Sequence, residues 1–132
     1  MSISKIRFTN TNKPLNGAVV MRGDSIDLVV THVEPRQAGA TLRFSAMMQI
    51  DYPNGVSIIR KEPDDFDVVL TVDDRVLRAS FSILPDETSY LLEQTVFRYD
   101  LQRSIPSEGS GPDKITTLEK GSFTVEPDIT PN

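Results

Sequence analysis

From residue 95 to residue 102 the chain reads Thr-Val-Phe-Arg-Tyr-Asp-Leu-Gln. Phe97, Tyr99 and Leu101 fall on one face of an extended segment; Arg98, Asp100 and Gln102 fall on the other, with Val96. A strand turns successive side chains to opposite faces, so this stretch predicts a strand with one buried side and one wet side. The polar, Gly- and Pro-rich run 104–113 follows, then 114–118 and 119–125, where Phe123 and Val125 share a face. Two strands joined by such a loop predict a hairpin, here at the centre of an antiparallel sheet.

The same period of two recurs along the chain. Ile6 and Phe8 share a face within 3–8, and extended structure resumes over 18–21. Ile26, Leu28 and Val30 alternate with Ser25, Asp27, Val29 and Thr31, and Leu42, Phe44, Ala46 and Met48 form the next apolar face. Asp51-Tyr-Pro-Asn-Gly55 is the strongest turn signal, because Pro fixes φ and Asn-Gly readily takes positive φ; 56–60 is then the returning strand. Phe66, Val68, Leu70 and Val72 alternate, a turn follows at Asp73-Asp74-Arg75, and Leu77, Ala79, Phe81 and Ile83 alternate again. Only 85–92 has a helical start, with Pro and two acidic residues in its first turn, and it predicts one short connecting helix or 3₁₀ segment.

Eight to ten short strands with turn signals between them predict an all-β fold, a single antiparallel β-sandwich. The 132 residues suit one domain spanning 1–132, with 1–14 as a candidate arm and 126–132 as a tail. Phe44, Phe81, Phe97, Tyr99 and Phe123 are the expected core. Ser2–Phe8 has two readings, as the first strand of its own sheet or as an arm packing on a neighbouring subunit.

Composition removes several function classes. There is no Cys, which excludes disulfides, thiolate metal sites and a Cys nucleophile. The net charge is −5 with no basic patch, so neither nucleic acid nor an anionic membrane is an expected partner. No window approaches the ~18 apolar residues of a membrane helix, and the start lacks a signal-peptide run; synthesis and folding in a cytoplasm are expected.

The candidate chemical residues are few. His32 is the single His, and no nucleophile or metal motif accompanies it. Asp64, Asp65 and Asp67, with Asp73 and Asp74, could pair as carboxylates or hold a cation, but their positions suit solvated turn residues. Arg22-Gly23-Asp24 spells an integrin-binding tripeptide, but three residues carry almost no specificity, and the reading taken is a Gly-Asp turn into the strand at Ile26. Tyr52 and Tyr90 are the aromatics placed for exposed contact; the alternative for Tyr52 is packing on its own hairpin. No catalytic residue, cofactor or metal is expected.

One ordered set of residues resembles a known group. Gly17 to Asp24 (Gly-x-x-x-x-Arg-Gly-Asp), Ile83-Leu-Pro-x-x-Thr88, Phe97-Arg-Tyr-Asp-Leu-Gln102, Thr117-Leu118, Gly121-x-Phe-x-Val125 and Asp128-Ile-Thr130 follow in order. This pattern resembles the small immunoglobulin-like β-sandwich structural proteins of tailed bacteriophages, similar in outline to the N-terminal domain of upper baseplate proteins. The last third matches best, and the loop 104–113 is longer than the compact turn common in that group. The resemblance implies a non-enzymatic virion component (tail, baseplate, neck or capsid surface). Its partners would be other phage structural proteins, and it would form a homo-oligomer within the particle. The alternative is a non-catalytic module binding host cell-surface glycans through Tyr52 and the loop 104–113.

Overall fold

The structure, a computed structural model, describes residues 5–33, 41–70, 76–107, 109 and 111–127. Nine strands form within them: β1 (Lys5–Phe8), β2 (Val19–Met21), β3 (Ile26–Val33), β4 (Thr41–Met48), β5 (Ile59–Lys61), β6 (Asp67–Leu70), β7 (Val76–Ile83), β8 (Thr95–Ile105) and β9 (Lys114–Glu126). One sheet has the order β1-β3-β7-β6 and the other β2-β9-β8-β4-β5. In the letters used for immunoglobulin domains these are A-B-E-D facing A′-G-F-C-C′, so the protein is an immunoglobulin-like β-sandwich. The strand β8 is the middle member of the five, where the 95–102 alternation places it.

The core is the set of inward faces. Phe44, Phe81, Phe97, Tyr99 and Phe123 are all buried, as their register requires. Phe44 of β4 lies 5.0 Å from Phe81 of β7 and so bridges the sheets, while Phe97 of β8 stacks on its ladder partner Phe123 of β9 at 5.3 Å within one sheet. Leu15, outside any strand, is also fully buried, and so plugs the core where the chain passes from β1 to β2.

Several local expectations are corrected. The sandwich is not wholly antiparallel, because β2 runs parallel to β9. The first edge is split: β1 pairs with β3 in one sheet, and the chain then crosses to the other sheet. Asn12 (φ 60°) and Gly17 (φ 82°) supply the left-handed backbone that this crossing needs. Of the two forms expected over 85–92, the 3₁₀ segment is the one present, as a single turn at Pro85–Glu87. The strand expected from Val56 starts at Ile59. Residues 5–8 of the candidate arm belong to the domain's own sheet; Met1 to Ser4 lie outside the described residues.

The 114–118 and 119–125 segments are one strand with a bulge. Leu101 pairs with Glu119 but Gln102 pairs with Thr117, so Leu118 is the extra residue. The bulge lets Leu118 pack on the core while Glu119, Gly121, Phe123 and Val125 keep the inward phase.

Candidate functional site

The connection between β4 and β5 spans residues 49–58, and its apolar side chains have no core to enter. A 3₁₀ turn, Gln49–Asp51, leads into a cis peptide bond between Tyr52 and Pro53. Gly55 does not take the positive φ that Asn-Gly suggested. Instead the chain doubles back on Asp51 so closely that a side-chain carbon at Gly55 would lie 2.4 Å from the Asp51 Cβ. Only Gly fits that approach. The N–H of Ile58 then donates to the carbonyl of Ala46 at 2.9 Å, which closes the connection onto β4. Ile50 is 88% exposed and Val56 76%, with Ile58 and Tyr52 exposed beside them in sequence. Four large apolar side chains within nine positions is a concentration that solvent alone does not favour.

Tyr52 reaches past its own hairpin to β8. The guanidinium of Arg98 lies over its ring, 4.4 Å from the centroid, in cation–π contact. Arg98 is one of the wet-face residues of β8, so Tyr52 folds back over the outer face of the five-stranded sheet. A small cavity of about 80 Å³ sits there, bordered by Tyr52, Ser45, Ser57, Arg98, Asp100 and Lys120. Asp100 and Lys120 are directly opposed in the ladder. Partial burial pushes the Asp100 carboxyl up from the usual carboxylate range, and Lys120 pulls it part of the way back. Two hydroxyls, a carboxylate and two cations can hydrogen-bond a small polar group.

The other sequence candidates disperse. Arg22 donates to the Leu91 carbonyl at 2.8 Å, and the N–H of Gly23 donates to the Thr88 hydroxyl at 2.9 Å. The tripeptide at 22–24 therefore forms a turn that anchors the 84–94 connection. Asp65 accepts from the N–H of Glu62 at 2.8 Å and so caps its own 3₁₀ turn, Pro63–Asp65; Asp64 and Asp67 are exposed. Asp73 and Asp74 lie outside the described residues, as does the side chain of His32, which holds a register position opposite Leu77. Among the described residues no three His, Cys, Asp or Glu side chains stand close enough to hold a metal. Tyr90 is half-exposed on the 84–94 connection. The loop 106–113 is braced by the Ser107 hydroxyl donating to the Gly111 carbonyl.

Three further polar contacts escaped the sequence reading. Glu119 accepts from the Tyr99 phenol and, at 3.0 Å, from the N–H of Ile6, so it ties β1 of one sheet to β8 and β9 of the other. Burial, and then the Glu119 contact, push the Tyr99 phenol far above its ordinary value. Lys61, buried, pairs with Glu87 at 2.5 Å and so ties β5 to the turn after β7. For Glu119 a signal existed: Leu118 is out of phase with Phe123 and Val125, and a phase break between apolar residues marks a bulge.

The chain matches no protein-family model and no curated protein. Among solved structures it is similar to AggA, the major subunit of aggregative adherence fimbriae type I from Escherichia coli. The identity is 11% and the TM-score 0.38, over 97% of this chain and 96% of that one.

Proposed function

We propose that this chain is a non-enzymatic structural subunit of a tailed-bacteriophage virion, working in repeated copies through protein–protein contacts. The observation that carries the reading is the apolar connection 49–58, with Ile50 and Val56 almost wholly exposed at one end of the sandwich. Such side chains are stabilised when a partner covers them. The ordered residue pattern from Gly17 to Thr130 supports the phage assignment by resemblance. The test is the double substitution Ile50→Ser and Val56→Ser. Both sites are exposed, so the variant should melt within about 0.5 kcal/mol of wild type while losing its stoichiometric complex with other structural proteins. Purified particles that lack the protein by mass spectrometry, or a variant that assembles normally, would count against it.

A second reading rests on Tyr52 and the polar cavity beneath it, an arrangement that suits a glycan hydroxyl cluster. Saccharide retention on a glycan array that Tyr52→Ala and Asp100→Ala both abolish would favour this reading over assembly.

A further inference from the structure

The strand β2 is the outer edge of the five-stranded sheet, and its free side lines a groove. The Thr124 N–H donates to the Ala18 carbonyl at 2.9 Å, and the Arg22 N–H donates to the Glu126 carbonyl at 2.8 Å. Backbone groups alternate sides along a strand, so the Ala18 carbonyl, Val20 and the Arg22 N–H face β9 while Val19 and Met21 turn theirs away. The Met21 carbonyl is taken by the Asp24 N–H. That leaves both backbone groups of Val19 and the N–H of Met21 facing outward, beside a Val19 side chain that is 58% exposed. The opposite sheet treats its edge differently. There the chain folds back on β1, with the Leu15 N–H donating to Ile6 and the Phe8 N–H to Lys13, and Glu119 covers the Ile6 N–H.

The open edge borders a groove of about 660 Å³, lined by Phe8, Val19, Met21, Ile26, Asp24 and Asp27 among others. We infer that this edge takes an extended segment of a partner protein as an added strand, one with alternating apolar residues and basic flanks. The backbone groups require an extended occupant, because only a strand presents donors and acceptors at that spacing. Phe8, Val19 and Ile26 favour apolar side chains on alternate positions. Asp24 and Asp27 outnumber Lys13 along the lining, which favours cations beside them. A second copy of this chain is the poorer occupant, because each copy carries a net charge of −5 and brings the same carboxylates. The surface is separate from the connection 49–58, and its test reads different residues.

The probe is acetyl-Lys-Val-Thr-Val-Thr-Val-Lys-amide, added to isotope-labelled protein and followed by NMR. The Val19 and Met21 amide protons should shift and, at saturation, exchange about tenfold more slowly. The counterpart peptide with Glu for Lys should bind about tenfold more weakly. Val19→Pro removes only an outward donor, which an edge strand tolerates, so it should melt like wild type and lose binding. Methylating the peptide's alternate backbone nitrogens should abolish binding as well, and this decides the matter if Val19→Pro does not fold. The inference is overturned by absence of binding, by binding that survives either change, or by shifts confined to 49–58. It is also overturned if sedimentation without peptide finds self-association that Val19→Pro removes, which would put a second copy on the edge.

Discussion

Replacing Glu119 by Ala should separate the two sheets at one corner. Its carboxylate accepts from the Ile6 N–H and from the Tyr99 hydroxyl, and both Ile6 and Tyr99 are buried. Truncation leaves both donors without that acceptor. A hydrogen bond to a charged group contributes about 1.5–3 kcal/mol, and Glu119 itself is half-exposed, so water recovers part of it; the net loss is about 2–4 kcal/mol. For 132 residues the unfolding entropy is about 0.28 kcal/mol/K, so the midpoint should fall by about 7–14 °C. Glu119→Gln keeps an oxygen for Ile6 and should lose less than half as much. Calorimetry on Glu119→Ala, Tyr99→Phe and the double variant isolates the contact, with an expected coupling of about 1 kcal/mol. Hydrogen exchange should show Lys5–Phe8 opening first. A Glu119→Ala melt within about 2 °C of wild type would refute the reasoning, because the tie would then contribute under about 0.6 kcal/mol.

Gly121→Ala should destabilise by about 1–3 kcal/mol in a urea melt, because the new carbon would sit 2.7 Å from the Tyr99 hydroxyl and 2.6 Å from Asn16 Oδ1; equal or higher stability would mean that the strand propensity of Ala outweighs the clash. Lys61→Ala leaves the Glu87 carboxylate without its cation, though still accepting from the Leu84 N–H, and should cost about 2–3 kcal/mol, whereas Lys61→Met with Glu87→Gln should recover most of it in the same melt. Asp100 is raised by burial, so the folded state holds its proton more tightly than the unfolded state, and stability falls as pH rises through the carboxylate range. Asp100→Asn should therefore raise the melting temperature at neutral pH and leave it unchanged in acid below that range. Phe97→Ala, at a fully buried position, should cost about 3–5 kcal/mol by denaturant titration.

The period-two alternation by itself determined that the chain is all-β, that 95–102 is a strand with one buried face, and that Phe44, Phe81, Phe97, Tyr99 and Phe123 point into the core. Each is a local consequence of side chains alternating across a strand, so no knowledge of neighbours was needed. The apolar residues of 49–58 were visible too, but the turn chemistry there pointed to a tighter hairpin. Asn-Gly suggests positive φ, whereas Gly55 is required by its approach to Asp51, a contact that only the folded path creates. The parallel β2·β9 pair was not legible, because pairing partners come from the crossing at 9–18 and not from composition. Lys61 reads as a surface residue until Glu87, twenty-six positions on, is brought to within 2.5 Å of it. Glu119 reads as polar and outward until the bulge at Leu118 turns it toward Ile6 and Tyr99. Such long-range polar contacts, and the open edge at Val19, depend on which strand lies beside which, and only the tertiary structure decided that.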